Sequence, residues 1–155
     1  MTVERLDYID LEILRALSND ARLSLRQLAA AIHRSPTPTF ERLRRLEREG
    51  YIKKYVAVLD TMKLGGSLMV YCMVKLRAVS KEIAEEFESV VSGLDEVAEC
   101  YNVSGSFDYL LKVYANSMTD YQQFLLNRLG TIKSVGSLAS SFVMGEVKRE
   151  LNTKI

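Results

Sequence analysis

The 155 residues suit one ordinary domain or two small ones, and 48% hydrophobic with 26% charged residues is the balance of a chain that folds in water, not of a disordered tail or a membrane protein. The longest apolar run, Leu68 to Val74, falls far short of the roughly 20 residues a spanning helix needs, and the first residues are acidic and polar, so no membrane anchor or secretion signal is expected and a cytoplasmic location is. The net charge of +1 hides an asymmetry: Arg22 to Lys54 carries nine basic residues against three acidic ones, whereas everything from Thr61 onward has ten against eleven. A basic segment joined to a balanced one suggests a polyanion-binding module attached to a part with another task.

From Leu6 to Gly50 the periodicity is helical. Asp7 caps a first helix in which Ile9, Ile13 and Leu17 recur on one face, and Asn19 with Asp20 ends it. Ser24 followed by Gln27 forms a capping box for a second, short helix that buries Leu28, Ala29 and Ile32. Ser35 caps a third helix whose first turn holds both prolines, Pro36 and Pro38, and Gly50 closes it. Two helices separated by about three residues make a helix-turn-helix. At 100° per residue, Thr39, Leu43 and Leu46 face inward while Thr37, Glu41, Arg44, Arg45 and Arg48 lie on the opposite half. Small hydroxyls at the leading turn and guanidiniums one and two turns later suit a recognition helix. Ser35, Thr37 and Thr39 are expected near base edges or backbone, with Arg44, Arg45 and Arg48 mainly positioning the duplex through its phosphates.

After Gly50 the pattern changes to period two over residues 51–59, an extended segment or short wing, and Lys63 to Ser67 reads as a linker. This places a DNA-binding domain at 1–60 and a second domain at 61–155. In the second, strands are expected at about 67–79, 97–103, 108–115 and 135–147, with helices capped by Ser80 and Ser117. The order βαββαβ is that of the ferredoxin-like sandwich, so the class is α+β, a winged helix-turn-helix followed by that sandwich. Met69, Tyr71 and Met73 alternate with Leu68, Val70, Cys72 and Val74, making both faces of the first strand apolar. A second copy of the chain is expected to cover the face the helices leave open.

The residues at 6–14 (Leu-Asp-Tyr-Ile-Asp-Leu-Glu-Ile-Leu), 35–38 (Ser-Pro-Thr-Pro), 42–47 (Arg-Leu-Arg-Arg-Leu-Glu), 99–113 and 143–148 resemble the leucine-responsive regulator/AsnC, or feast/famine, family over essentially the whole chain. The resemblance implies a transcription regulator that binds double-stranded DNA, dimerises and often proceeds to octamers, and binds a free amino acid between dimers. It further implies an effector site at the turn joining the middle strands, in which Gly105 admits a ligand carboxylate and Asp108 takes the ammonium, with Tyr101, Ser104, Phe107 and Ser140 or Ser141 nearby. Two positions depart from the family pattern. His33-Arg34 stands where Gly-Leu is usual, so if the glycine position needs positive φ His33 must tolerate it at some cost, and Ser106 replaces a more usual acidic or amide residue.

No metal or other cofactor is called for, and no catalytic residue is assigned. The two cysteines are too few for a zinc site, and in this fold their strands are separated by a third, about 9.6 Å apart, too far for a disulfide. His33, the one histidine, has no partner in the sequence for acid–base work. The alternative reading is a small ferredoxin-like enzyme acting on a metabolite, since the fold alone does not fix function. A helix-turn-helix that binds protein instead of DNA is a further competitor.

Overall fold

A computed structural model describes residues 6–60, 63 and 68–150. Contacts divide the chain into two compact units, with the break between Val58 and Leu59, and residues 148–150 group with the first unit instead of the second.

The first unit holds α1 (Tyr8–Asn19), α2 (Leu25–Ala31) and α3 (Pro36–Arg48). Its caps follow local chemistry. Asp7 accepts from the Asp10 N–H at 2.9 Å while Asp10 accepts from the Asp7 N–H at 3.0 Å, and Ser24 and Gln27 reciprocate in the same way at the head of α2. Ser35 precedes α3 as expected, yet its hydroxyl caps nothing. Pro38 occupies the third helical position, where the N–H that such a hydroxyl ordinarily meets is absent. Ile13, Leu17, Leu28, Ile32 and Leu46 form the core of this unit, with Leu43 and Ile52 packed against it.

Between α2 and α3, His33 takes φ 54°. The cause is a helix end in which the His33 N–H donates to the Ala30 carbonyl and the Arg34 N–H to the Ala29 carbonyl, a closure that requires a left-handed residue. Gly50, at φ 78°, ends α3 in the same way, with the Tyr51 N–H donating to Leu46. The expected wing is absent as a strand: residues 53–60 carry no ladder, and Tyr55, Val56, Val58 and Leu59 are exposed. An alternating pattern alone does not make a strand where no second strand of this unit lies alongside among the described residues. Of the expected linker, only Lys63 falls within the described residues.

The second unit contains β1 (Leu68–Leu76), α4 (Lys81–Val91), β2 (Val97–Asn102), β3 (Tyr109–Ala115), α5 (Met118–Asn127), a short 3-10 turn (Leu129–Thr131) and β4 (Val135–Phe142). The Ser80 and Ser117 hydroxyls accept from the N–H groups of Ile83 and Asp120, starting the two helices. The sheet order is β2-β3-β1-β4, all neighbours antiparallel. Both outer ends of the strand expectations shorten. β1 bulges at Lys75–Leu76 and stops there, and β4, at the sheet edge, ends at Phe142, with the Val143 N–H making one more bond to the Met69 carbonyl. The expected continuation to Val147 carries no strand.

Register sorts the side chains. Val70, Cys72, Val74 and Leu76 of β1, with Leu111 and Val113 of β3, pack under Phe87, Val91, Tyr121 and Phe124. The Phe87 and Tyr109 rings meet at 4.6 Å, and the Tyr109 hydroxyl donates to Glu88 at 2.6 Å, so that burial and this carboxylate push its pKa up to about 12. Met69, Tyr71 and Met73 stand on the other face beside Leu110, Lys112 and Tyr114, and no helix of this unit covers them. Cys72 and Cys100 both oppose Leu111 from opposite sides, which keeps them apart, and both are free thiols.

Candidate DNA and effector sites

On α3, Ser35 and Thr37 are exposed at the leading turn, and Arg44 and Arg48 are exposed farther along. The Arg44 guanidinium lies 5.8 Å from the Phe40 ring centroid and 3.8 Å from the Glu47 carboxylate, contacts loose enough to leave it accessible to an anion. Thr39 is different. It is 1% exposed and its hydroxyl donates to the Ser35 carbonyl at 2.8 Å, so, contrary to expectation, it cannot reach a base edge. The same helical geometry that turns Leu43 and Leu46 inward carries Thr39 with them.

Arg45 also departs from expectation. Its Nη2 donates to Asp10 Oδ2 at 2.5 Å, while Arg42 Nη1 donates to Asp10 Oδ1 at 2.9 Å and to Asp7 Oδ2 at 2.6 Å. Asp10 is 1% exposed. Donating to Asp7 first, and then to Asp10, raises the Arg42 pKa, and accepting from the Asp10 N–H, followed by Arg42, lowers that of Asp7. Reading the chain by periodicity misses Arg42 and Asp10; the signal was the matched spacing of Asp7 and Asp10 on α1 with Arg42 and Arg45 on α3. Exposed Arg22, Arg26, Arg34, Lys53 and Lys54 complete the basic surface of the unit.

In the second unit, the β2–β3 turn exposes Ser104, Gly105 and Ser106, with Gly105 at φ 125°, a conformation that suits glycine. Phe107 is half-buried behind it. Asp108 is already engaged: Oδ2 accepts from the Leu76 N–H at 2.8 Å and Oδ1 from Lys75 Nζ at 3.0 Å. Its own N–H donates to Val74 and its carbonyl accepts from Val103, so Asp108 ties the turn to the end of β1. An arriving ammonium would share this carboxylate with Lys75. Tyr101 stands exposed on the open face, its hydroxyl donating to Glu99 at 2.8 Å.

The last strand sets both expected serines away from the level of the turn. Ser140 opposes Cys72 on the helix-covered side, its hydroxyl 2.6 Å from that of Tyr121, and Ser141 opposes Tyr71. Ser137 opposes Lys75, the partner of Asp108. Ser141 is four residues along β4 from that level, about 13 Å away, so within one chain neither Ser140 nor Ser141 joins the turn.

The lowering of the Asp108 pKa, first by the Leu76 N–H and then by Lys75, has a measurable consequence. In the unfolded chain this carboxyl titrates near 3.8, and in the folded chain below that. Its stabilisation is thus complete above the unfolded value and is lost as pH falls through the folded one. Urea denaturation between about pH 3 and 5 is expected to show a shallower pH dependence for Asp108→Asn than for the natural chain, with identical slopes counting against this role.

A helix-turn-helix unit followed by a ferredoxin-like sandwich defines a class of DNA-binding regulator. Residues 6–53 match the model for a winged helix-turn-helix DNA-binding domain, and residues 69–153 that for the Lrp/AsnC ligand binding domain. The leucine-responsive regulatory protein of Klebsiella pneumoniae is 41% identical over 144 residues, 93% of this chain and 88% of that protein. The Bkd operon transcriptional regulator of Pseudomonas aeruginosa is 41% identical over 92% of this chain and 93% of its own length. Among solved structures, a Neisseria meningitidis transcriptional regulator in complex with L-Met superposes with a TM-score of 0.90 at 31% identity, covering 95% of each chain. The chain belongs to the Lrp/AsnC family. It is a DNA-binding transcription regulator with that family's ligand-binding domain, and the relatives named as regulators count against the enzyme reading. Among the described residues no helix is long and apolar enough to cross a membrane.

Proposed function

We propose that this regulator holds duplex DNA through the exposed half of α3, assembles through the open face of its sheet, and couples the two to a free amino acid. The observation that carries the DNA arrangement is the exposure of Ser35 and Thr37 at the leading turn with Arg44 and Arg48 following on the same helix. The hydroxyls read base edges and the two arginines grip phosphates. Arg44→Gln is expected to weaken binding to specific and random duplex alike and to reduce the slope of log affinity against log salt by about 0.9, the signature of one lost phosphate contact. A loss confined to one sequence would place Arg44 on a base.

The amino acid is assigned to the β2–β3 turn, with Ser104, Gly105 and Phe107 shaping it and the Asp108–Lys75 pair offering charge of both signs. Tyr101 and Ser141 belong to the open face and can serve the same site only through the assembly. The L-Met complex of the Neisseria meningitidis relative supports a free amino acid as ligand. The unclad apolar face supports assembly to dimers, the family resemblance is what implies octamers beyond them, and a cytoplasmic location accords with a DNA-binding regulator. Calorimetric titration with the twenty amino acids, paired with light scattering, tests both: heat of binding lost in Gly105→Val supports the turn, and equal binding removes it.

A further inference from the structure

The α1–α3 contact carries more charge than packing requires. Asp10 is 1% exposed, and both its carboxylate oxygens accept guanidinium N–H groups, from Arg42 at 2.9 Å and Arg45 at 2.5 Å. Asp7, half-exposed, takes Arg42 as well at 2.6 Å. Two carboxylates from the head of α1 thus meet two guanidiniums of α3, in a cluster whose formal charges balance. The two arginines lie one helical turn apart, as do the two aspartates, so the cluster fixes the rotation and the axial position of α3 relative to α1. An apolar contact such as Leu46 against Ile13 tolerates small sliding, whereas two charge-assisted hydrogen bonds to one buried carboxylate do not.

These arginines share a helix with Arg44 and Arg48 and, without their aspartates, are long enough to reach phosphates beside a docked α3. A guanidinium already held by a buried carboxylate releases no counterion from DNA, because its charge is compensated before DNA arrives. We propose that Asp10 is a positioning residue for DNA recognition: it withholds Arg42 and Arg45 from the phosphate backbone and uses them to set the pose of the recognition helix. The effect is a deliberate reduction of sequence-independent affinity, leaving a larger share of binding to the hydroxyl-bearing leading turn. Discrimination between sequences then depends on a residue that does not touch DNA.

The test compares the full-length natural chain with Asp10→Asn, Arg45→Gln and Arg42→Gln on two duplexes of equal length, one selected from a random pool by the natural protein and one scrambled. Asp10→Asn keeps the shape of the side chain and removes its charge. Its salt slope on scrambled duplex is expected to steepen by about 0.9 to 1.8, for one or two arginines released to phosphates, while its preference for the selected duplex falls. Arg45→Gln is expected to leave the slope unchanged. Weaker binding of folded Asp10→Asn to both duplexes without a steeper slope would show a role confined to stability and would overturn the proposal. The proposal is overturned if Arg45→Gln or Arg42→Gln lowers the slope by about 0.9, which would make that arginine a phosphate contact in the complex, or if folded Asp10→Asn keeps the natural slope and preference. Circular dichroism establishes that each variant is folded, and should Asp10→Asn fail, the slopes of the two arginine variants still decide.

Discussion

Met73→Asp is expected to break the assembly while leaving each chain folded. Met73 opposes Leu110 on β3 and Ala139 on β4, on the face that no helix of its unit covers, with Met69 and Tyr71 along the same strand. A carboxylate placed there is tolerable in a monomer, where water reaches it, and costly in an interface, where nothing apolar around it can compensate. Truncating or charging a central interface residue costs about 2–4 kcal/mol, which is roughly a 30- to 1000-fold weaker association. Tyr71 is a less decisive position. Lys112 stands directly opposite, 8% exposed and held 3.0 Å from Glu99, close enough to neutralise an introduced carboxylate. Sedimentation equilibrium across concentrations reads the result: unchanged association of Met73→Asp would remove this face from the interface.

Leu46→Ala should have the largest effect on stability, and a selective one. Leu46 is 0% exposed at the centre of the small core formed with Ile13, Leu17, Leu28 and Ile32. Deleting a fully buried leucine costs about 2–5 kcal/mol, comparable with the whole stability of a unit this small. The helical unit is therefore expected to melt first while the sheet of the second unit persists. Hydrogen exchange would show this as protection lost in α1 to α3 and retained in β1 and β3. A single transition that takes both units together would mean that the two are one cooperative body.

What the sequence made legible is what local chemistry decides. Asp7, Ser24, Ser80 and Ser117 mark helix starts because each cap closes over three residues, and the chain need not be folded elsewhere for the signal to exist. The left-handed His33 was readable only through the family resemblance, which puts a glycine where it stands. Long-range pairings were not legible. Helical angle alone put Arg45 on the outer half, and only the docking of α1 reveals the carboxylate that holds it. Ser141 and Ser137 look equivalent in a run of small residues, and the register of β4 against β1 decides between them. A one-residue shift exchanges the two faces of a strand, and the residues themselves carry no label for it where both faces are partly apolar. Thr39 shows the limit of residue type: a hydroxyl at the head of a recognition helix suggests contact with a base, yet its position on the helix buries it.

The prolines at the head of α3 alter what that helix end offers to an anion. A helix ordinarily presents four unsatisfied N–H groups at its start, a ready cradle for phosphate. Here Pro36 and Pro38 have none to present, and the first bond of the helix, from the Thr39 N–H to the Ser35 carbonyl at 3.3 Å, consumes the next. Only the N–H groups of Ser35 and Thr37 remain. In the arrangement proposed above, a tip so built would be a poor cradle for any passing phosphate, so that the hold on the duplex backbone would fall to its flanks and the tip would be left to respond to bases.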